Sequence, residues 1–299
     1  MAEELVIETN GLCKQYDGVE ALRSVDLAVP AGSICGFLGR NGAGKTTTLK
    51  ILLGMVHPTA GRASVFGLAA DSSSTSVEIR RRTGFVGEDK ELYDFMTVAE
   101  IVRFTASFYP RWRPDLEQRY ARAFELPSAQ KVKALSRGTR TKLALMLALC
   151  RGADLLVLDE PTSGLDPAMA EDVLQALVRH AANENLTVFF SSHQLSEIDQ
   201  IADSVAMLDR GRTVLAGSLD DLKERYRRIE LIFADQAPAV SFRTRGVERV
   251  QRQGRVLSVL SSAGSDAIVD EARALAPHTV QVESVTLKQI FLETVAPND

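Results

Sequence analysis

The chain has 299 residues, 45% of them hydrophobic and 25% charged, a length and composition that suit one large domain with a smaller companion. Its net charge of −4 argues against nucleic acid as the main partner, because phosphate backbones call for a basic face. Cys13, Cys35 and Cys150 fit neither a metal spacing nor a disulfide framework and point to reduced thiols in the cytoplasm; the opening MAEELVIETN lacks the marks of a secretion signal, and the greasiest run, LALMLALC, is too short to cross a bilayer.

The first 38 residues read as short strands. SVDLAV alternates Val25, Leu27 and Val29 onto one face, and SICGFLG is an apolar run ending in glycine. A helix follows, with Leu49, Leu52 and Leu53 on one side, and then DSSSTS, residues 71–76, reads as a polar loop. From about 97 to 150 the pattern is helical, interrupted near Pro110, Pro114 and Pro127. DLLVLDE reads as a buried strand, 167–182 as a helix, LTVFFSS as a second buried strand, and VAMLDRGRTVLAG as a hairpin turning at Asp209–Arg212. Strands alternating with helices predict an α/β fold around a parallel sheet. After SLDDLKERYRR the character changes: IELIFA, RVLSVLSS and HTVQVESV are strand-like around the helix DAIVDEARALA. The expected division is a first domain over 1–224 and a small α+β domain over 225–299.

Two features carry chemistry. GRNGAGKTT satisfies the pattern G-x-x-x-x-G-K-(S/T), with a strand before it and a helix after it. Gly39, Arg40, Asn41, Gly42, Ala43 and Gly44 would turn backbone N–H groups around phosphates, and the helix N-terminus beginning near Lys45, Thr46 and Thr47 adds partial positive charge. Lys45 reaches the β and γ phosphates, and the Thr46 hydroxyl suits Mg²⁺. Next, LLVLDE ends an apolar run in two adjacent carboxylates, which strand alternation sends to opposite sides. Asp159 fits the Mg²⁺-holding carboxylate of phosphate-loop enzymes, and Glu160 the base that orients the attacking water. Strands often end in acids simply because loops are wet, but beside a phosphate loop the functional reading prevails.

Residues 1 to about 224 resemble the ATP-binding cassette ATPases. GRNGAGKTT resembles Walker A, LLVLDEPTSGLD resembles Walker B running into the D-loop, and FFSSHQLSEIDQIAD resembles the switch segment with its histidine. The resemblance implies a parallel-sheet core with an antiparallel β subdomain and a helical subdomain at about 88–150. It also implies a head-to-tail dimer, homodimer or heterodimer with a related ATPase, that sandwiches two Mg-ATP. By the same resemblance, His193 senses the γ-phosphate, Asp166 contacts the opposite subunit, and Tyr16 is either the aromatic that stacks on adenine or a core tyrosine. Where the family carries glutamine this chain has Glu88, or Asp89 if the register slips by one; a carboxylate there can still ligate Mg²⁺. Where the family reads L-S-G-G-Q, this chain reads Leu135-Ser136-Arg137-Gly138-Thr139. Ser136 and Gly138 would still act on the opposite subunit's ATP, unless the segment is only a helix cap. Behind it, Leu143, Met146, Leu147 and Cys150 fall at helical spacing.

The stretch from Lys45 to Ser136 leaves no room for the long coiled-coil insertion of chromosome-maintenance relatives. Segments such as EDKELYDFMTV, FYPRWRPDLEQRYARAFELP and SVTLKQIFLETV most resemble bacterial ABC-2-type exporter ATPases. That implies an ATPase seated on the cytoplasmic face of the membrane through a separate permease, with Trp112 either facing that partner or anchoring the helical subdomain. The alternatives are a soluble regulatory ATPase not coupled to transport and a signalling partner of a membrane complex. No chemistry is legible in the C-terminal domain, which is expected to aid dimerisation or modulate turnover.

Overall fold

The structure is a computed structural model that describes residues 4–295; the first three residues of the opening segment and the last four of the domain expected to end at 299 lie outside them. β1 (Leu5–Tyr16) and β2 (Val19–Pro30) pair antiparallel. They run longer than the short strands expected. The register shifts between Thr9 and Leu12, where Gly11 at φ +55° lets one strand continue through a glycine that reads as a stop. Val25, Leu27 and Val29 are all buried, as their alternation requires.

β3 (Ile34–Gly39) is buried along its whole length, and α1 (Lys45–Leu52) follows it, burying Leu49 and Leu52. β4 (Ala60–Val65) and β5 (Leu68–Ala69) complete an antiparallel sheet of order β2-β1-β4-β5. α2 (Ser73–Arg82) begins inside the stretch expected as a loop. Ser76 and Ile79 are buried on that helix and Arg80 donates to the carbonyls of Leu53 and Gly54, so tertiary contacts outweigh the weak helix propensity of serine.

β6 (Thr83–Val86) leads into the helical part: α3 (Val98–Ala106), α4 (Pro114–Ala123), a 3₁₀ turn at Val132–Ala134, and α5 (Arg137–Leu149). Thr97 and Glu100 form a reciprocal capping box at the start of α3, and Pro114 opens α4 where its missing N–H costs nothing. The indole N–H of Trp112 donates to Glu117 at 2.7 Å, tethering the ring to α4. α5 buries every residue from Leu143 to Leu149, more than the stripe its periodicity predicts, because it runs through the core rather than over it.

β7 (Leu155–Asp159), α6 (Pro167–Glu184), β8 (Thr187–Ser192), α7 (Leu195–Ile201), β9 (Ser204–Asp209) and β10 (Arg212–Ser218) complete the main sheet, of order β10-β9-β3-β8-β7-β6. Its five strands from β9 to β6 run parallel. Phe37 on β3 and Phe189 on β8 pack ring to ring at 5.2 Å, both fully buried.

The chain divides into two compact units between Ala216 and Gly217. The second holds α8 (Leu219–Arg225), β11 (Arg227–Ile232), β12 (Val247–Gln253), β13 (Val256–Ser261), α9 (Ser265–Arg273), β14 (Thr279–Ser284) and α10 (Leu287–Val295). Its antiparallel sheet has the order β12-β13-β11-β14, and Ile268 and Ala272 of α9 close a core with Ile229, Leu231 and Val259. The contact division and the boundary expected near 224 bracket α8, which packs on α10, far along the chain. β12, VERVQRQ, was not among the strands expected: it is an edge strand with a polar, exposed end.

Candidate active site

Adjacent parallel strands bring their C-terminal ends together, and there the phosphate loop, both acids and the histidine converge. Gly44 has φ +112°, and a Cβ on it would lie 2.5 Å from Leu22 Cδ2 and 2.8 Å from the Ala21 carbonyl, so only glycine fits. α1 begins at the next residue with no acid in its first turn. Its first amides have no intrahelical acceptor, which makes this helix end an anion site. Arg40, Asn41, Gly42, Gly44, Lys45, Thr46 and Thr47 line a pocket in front of it, faced by Ala21, Glu88, Glu160, Ser163 and His193. Gly39 and Ala43 hold the loop from behind: both are buried, and the Ala43 carbonyl accepts from Gly211 N at 3.0 Å.

Lys45 is buried, donates from Nζ to the Gly39 carbonyl at 2.8 Å, and lies 3.1 Å from Glu160 Oε1. Glu160 Oε2 is hydrogen-bonded to His193 Nδ1 at 2.7 Å. The Glu160 side chain is 8% exposed, whereas that of His193 is 44% exposed. No hydrogen-bond donor is aligned on Oε1 despite the nearby ammonium, so this buried oxygen keeps capacity for a ligand.

Asp159 and Glu160 diverge, but not by strand alternation. β7 stops at Asp159, and Glu160 turns into the left-handed region at φ +50°. Such a conformation costs about 1–3 kcal/mol and persists only where neighbours enforce it. Ser191 Oγ is one of them, donating to Asp159 Oδ1 at 2.7 Å and accepting from Glu160 N at 3.0 Å.

Thr46 and Glu88 line both the pocket and an adjoining groove; Asp159 and Asp89 line the groove only. Thr46, Glu88 and Asp159 thus present hard oxygen donors at one junction, which fits Mg²⁺. Among the described residues no group of three or more His, Cys, Asp or Glu is placed to hold a metal. An ion here would take its remaining ligands from water and phosphate, as Mg²⁺ does.

Other expected site residues stand apart from this pocket. Ser136 is the N-cap of α5, exposed, and accepts from Thr139 N at 3.1 Å. Gly138 is buried against Met169 and Leu165. Asp166 caps α6, accepting from Met169 N at 2.9 Å. Tyr16 is 41% exposed at the end of β1, with Lys14 Nζ 4.8 Å from its ring centroid, and so is not a core tyrosine.

Sequence reasoning missed Lys90, which lies in the charged run EDKE and looks there like ordinary surface. It is buried, with φ +45°, and donates from Nζ to the Glu160 main-chain carbonyl at 3.1 Å. Burial, followed by the charge of Arg137, pushes its pKa below the usual lysine value, while Glu88, Asp159 and Glu160 pull it upward. Ser191 and Glu197 were missed as well, because nothing in a single sequence tells a buried hydroxyl or carboxylate from an exposed one.

The sequence model of the ABC transporter family matches residues 22–163. The bacitracin transport ATP-binding protein BcrA of Bacillus licheniformis is 35% identical over 79% of this chain and 77% of its own length. The daunorubicin/doxorubicin resistance ATP-binding protein DrrA of Streptomyces peucetius is 36% identical over 73% of this chain and 66% of its own. A solved ATP-binding subunit of an ABC transporter superposes with a TM-score of 0.66 at 28% identity, over 73% of this chain and 92% of that one. With the phosphate loop, the acidic strand end and the switch histidine assembled on the same sheet edge, the chain belongs to the ABC transporter family and carries its ATPase cassette.

Proposed function

We propose that this cassette hydrolyses ATP to drive export through separate membrane-spanning subunits, with two copies, or one copy and a related ATPase, closing around two molecules of ATP. The observation that carries the reading is Glu160, buried at the mouth of the phosphate loop between Lys45 and His193. The loop amides and Lys45 bind the phosphates. Glu160 orients the attacking water and takes its proton, and His193 holds Glu160 and meets the γ-phosphate. Thr46, Asp159 and Glu88 would hold Mg²⁺, which supplies charge neutralisation on the phosphates. Ser136, Gly138 and Asp166 lie off their own chain's pocket, which supports their completing the site of the other subunit; Tyr16, exposed at a strand end, remains free to stack on adenine.

No helix among the described residues is long and apolar enough to cross a membrane. The proposed export calls for a membrane partner, and one surface suits it. Tyr93, Phe95, Phe104 and Phe108 are exposed by 39–68% and linked ring to ring at 5.0–5.8 Å beside the groove that reaches Glu88. Contiguous exposed aromatics mark an interaction site. Relatives named for bacitracin transport and for daunorubicin/doxorubicin resistance favour export as the direction.

The test is recovery of tagged Glu160→Gln protein, trapped with ATP, from gently solubilised membranes. The variant is expected to bind ATP, stall as a closed dimer and bring a multi-span protein in stoichiometric amount. A closed dimer without a membrane companion would overturn the transport reading and leave the ATP switch standing.

A further inference from the structure

Glu197 belongs to none of the catalytic assignments above, yet it is 6% exposed and both its carboxylate oxygens are engaged at 2.6 Å. Ser192 Oγ donates to Oε2 and Thr162 Oγ1 donates to Oε1. Hydroxyl-to-carboxylate bonds of that length are charge-assisted and among the stronger ones a protein makes. Each donor sits beside a reacting group. Ser192 directly precedes His193, and its oxygen also accepts from Gln194 N at 2.9 Å, so the turn that carries the histidine is tied on both sides. Thr162 lies two residues past Glu160, in a turn closed by Ser163 N donating to the Glu160 carbonyl at 3.1 Å.

Glu197 therefore bridges the loop after β7 to the end of β8, just before His193. The histidine gains from such a bridge: its side chain is 44% exposed, so little packing fixes the ring, and its place depends on the bond to Glu160 and on the backbone beneath it. The neighbouring serines divide the work. Ser191 serves Asp159 and the Glu160 amide, and Ser192 serves Glu197.

We infer that Glu197 is a positioning residue for ATP hydrolysis, which clamps the Glu160 loop to the His193 loop and so sets the 2.7 Å contact between those two side chains. The inference rests on the roles proposed above for Glu160 and His193. Misplacing a reacting group by about 1 Å costs about a hundredfold in rate, so a clamp of this kind acts on turnover and not on nucleotide affinity.

The experiment compares full-length Glu197→Gln, Thr162→Val, Ser192→Ala and the double variant Glu197→Gln/Thr162→Val with wild type and with Glu160→Gln. It measures kcat and KM for ATP, equilibrium nucleotide affinity and Tm. Glu197→Gln is expected to lower kcat about tenfold and the two hydroxyl variants a few-fold each, with KM and affinity within about twofold of wild type. The double variant should lose little beyond Glu197→Gln alone, because both changes remove one shared link. If Glu197→Gln and Thr162→Val turn over normally while Glu160→Gln is inactive, the clamp is wrong and the site reading stands. If Glu160→Gln turns over normally, the site reading itself fails. A rise in KM matching the loss of kcat, or multiplicative losses in the double variant, would make Glu197 a packing residue only. Thr162→Val keeps Glu197 and nearly the same volume, so it decides the matter even if Glu197→Gln does not fold.

Discussion

Two lysines attend Glu160: Lys45 at its carboxylate and Lys90 at its main-chain carbonyl. The phosphate-loop pattern announces the first; the second has no motif, because what makes it special is burial beside a left-handed glutamate. Lys90→Met separates two effects. It removes a charged donor from the Glu160 carbonyl, a bond of about 1.5–3 kcal/mol, and turnover is expected to fall about tenfold. Burial and the charge of Arg137 disfavour that ammonium in the folded chain, so losing the charge offsets the lost bond and Tm is expected to change little. Steady-state ATPase rates beside differential scanning calorimetry check both. A fall in Tm with unchanged kcat would make Lys90 a structural residue.

Among the elements, α5 carries at its start the Ser136 proposed to serve the other subunit. Its first residue-scale task is local: Ser136 caps it, and loss of that cap costs about 1 kcal/mol. Ser136 nevertheless lies away from the pocket of its own chain. Ser136→Ala is therefore expected to leave the ATP affinity of the monomer unchanged and lower the turnover of the dimer about tenfold or more. Equilibrium binding at low protein concentration, set against kcat at high concentration, reads the two separately. An equal loss in both would show that Ser136 acts within its own subunit. The strands ending at Gly39, Asp159 and Ser192 were legible as apolar runs, and α1, α5 and α6 as periodic ones. α2 and β12 were not, because a serine-rich helix start and a polar edge strand are stabilised by neighbours and not by their own pattern.

The whole molecule consists of two units with separate hydrophobic cores, one around Phe37 and Leu49 and one around Ile229 and Val259. All residues of the phosphate pocket belong to the first. In the second, β14 is an edge strand with Val282 49% exposed, a surface suited to association. A chain ending at Ala216 is expected to fold and bind ATP with unchanged affinity, but to need several-fold more protein to dimerise on ATP. Sedimentation of the Glu160→Gln form of each length, with and without ATP, measures this. Equal dimerisation of both lengths would remove the second unit from the assembly role.

Motifs made of contiguous residues were legible in the sequence alone. Glycines at fixed offsets before Lys45 and Thr46 dictate a phosphate loop, and an apolar run closing on Asp159 and Glu160 dictates an acidic strand end, since the residues of each signal lie within a few positions of one another along the chain. The sequence likewise carried the parallel α/β class through its alternation of periods. Contacts between loops far apart in the chain were decided only by the tertiary structure: Lys45 and His193 meeting on Glu160, Lys90 behind it, Ser191 and Glu197 joining two strand ends, and Glu88 rather than Asp89 facing the pocket. The reason is that burial and the turn of Glu160 are set by neighbours across the sheet, which local pattern does not encode.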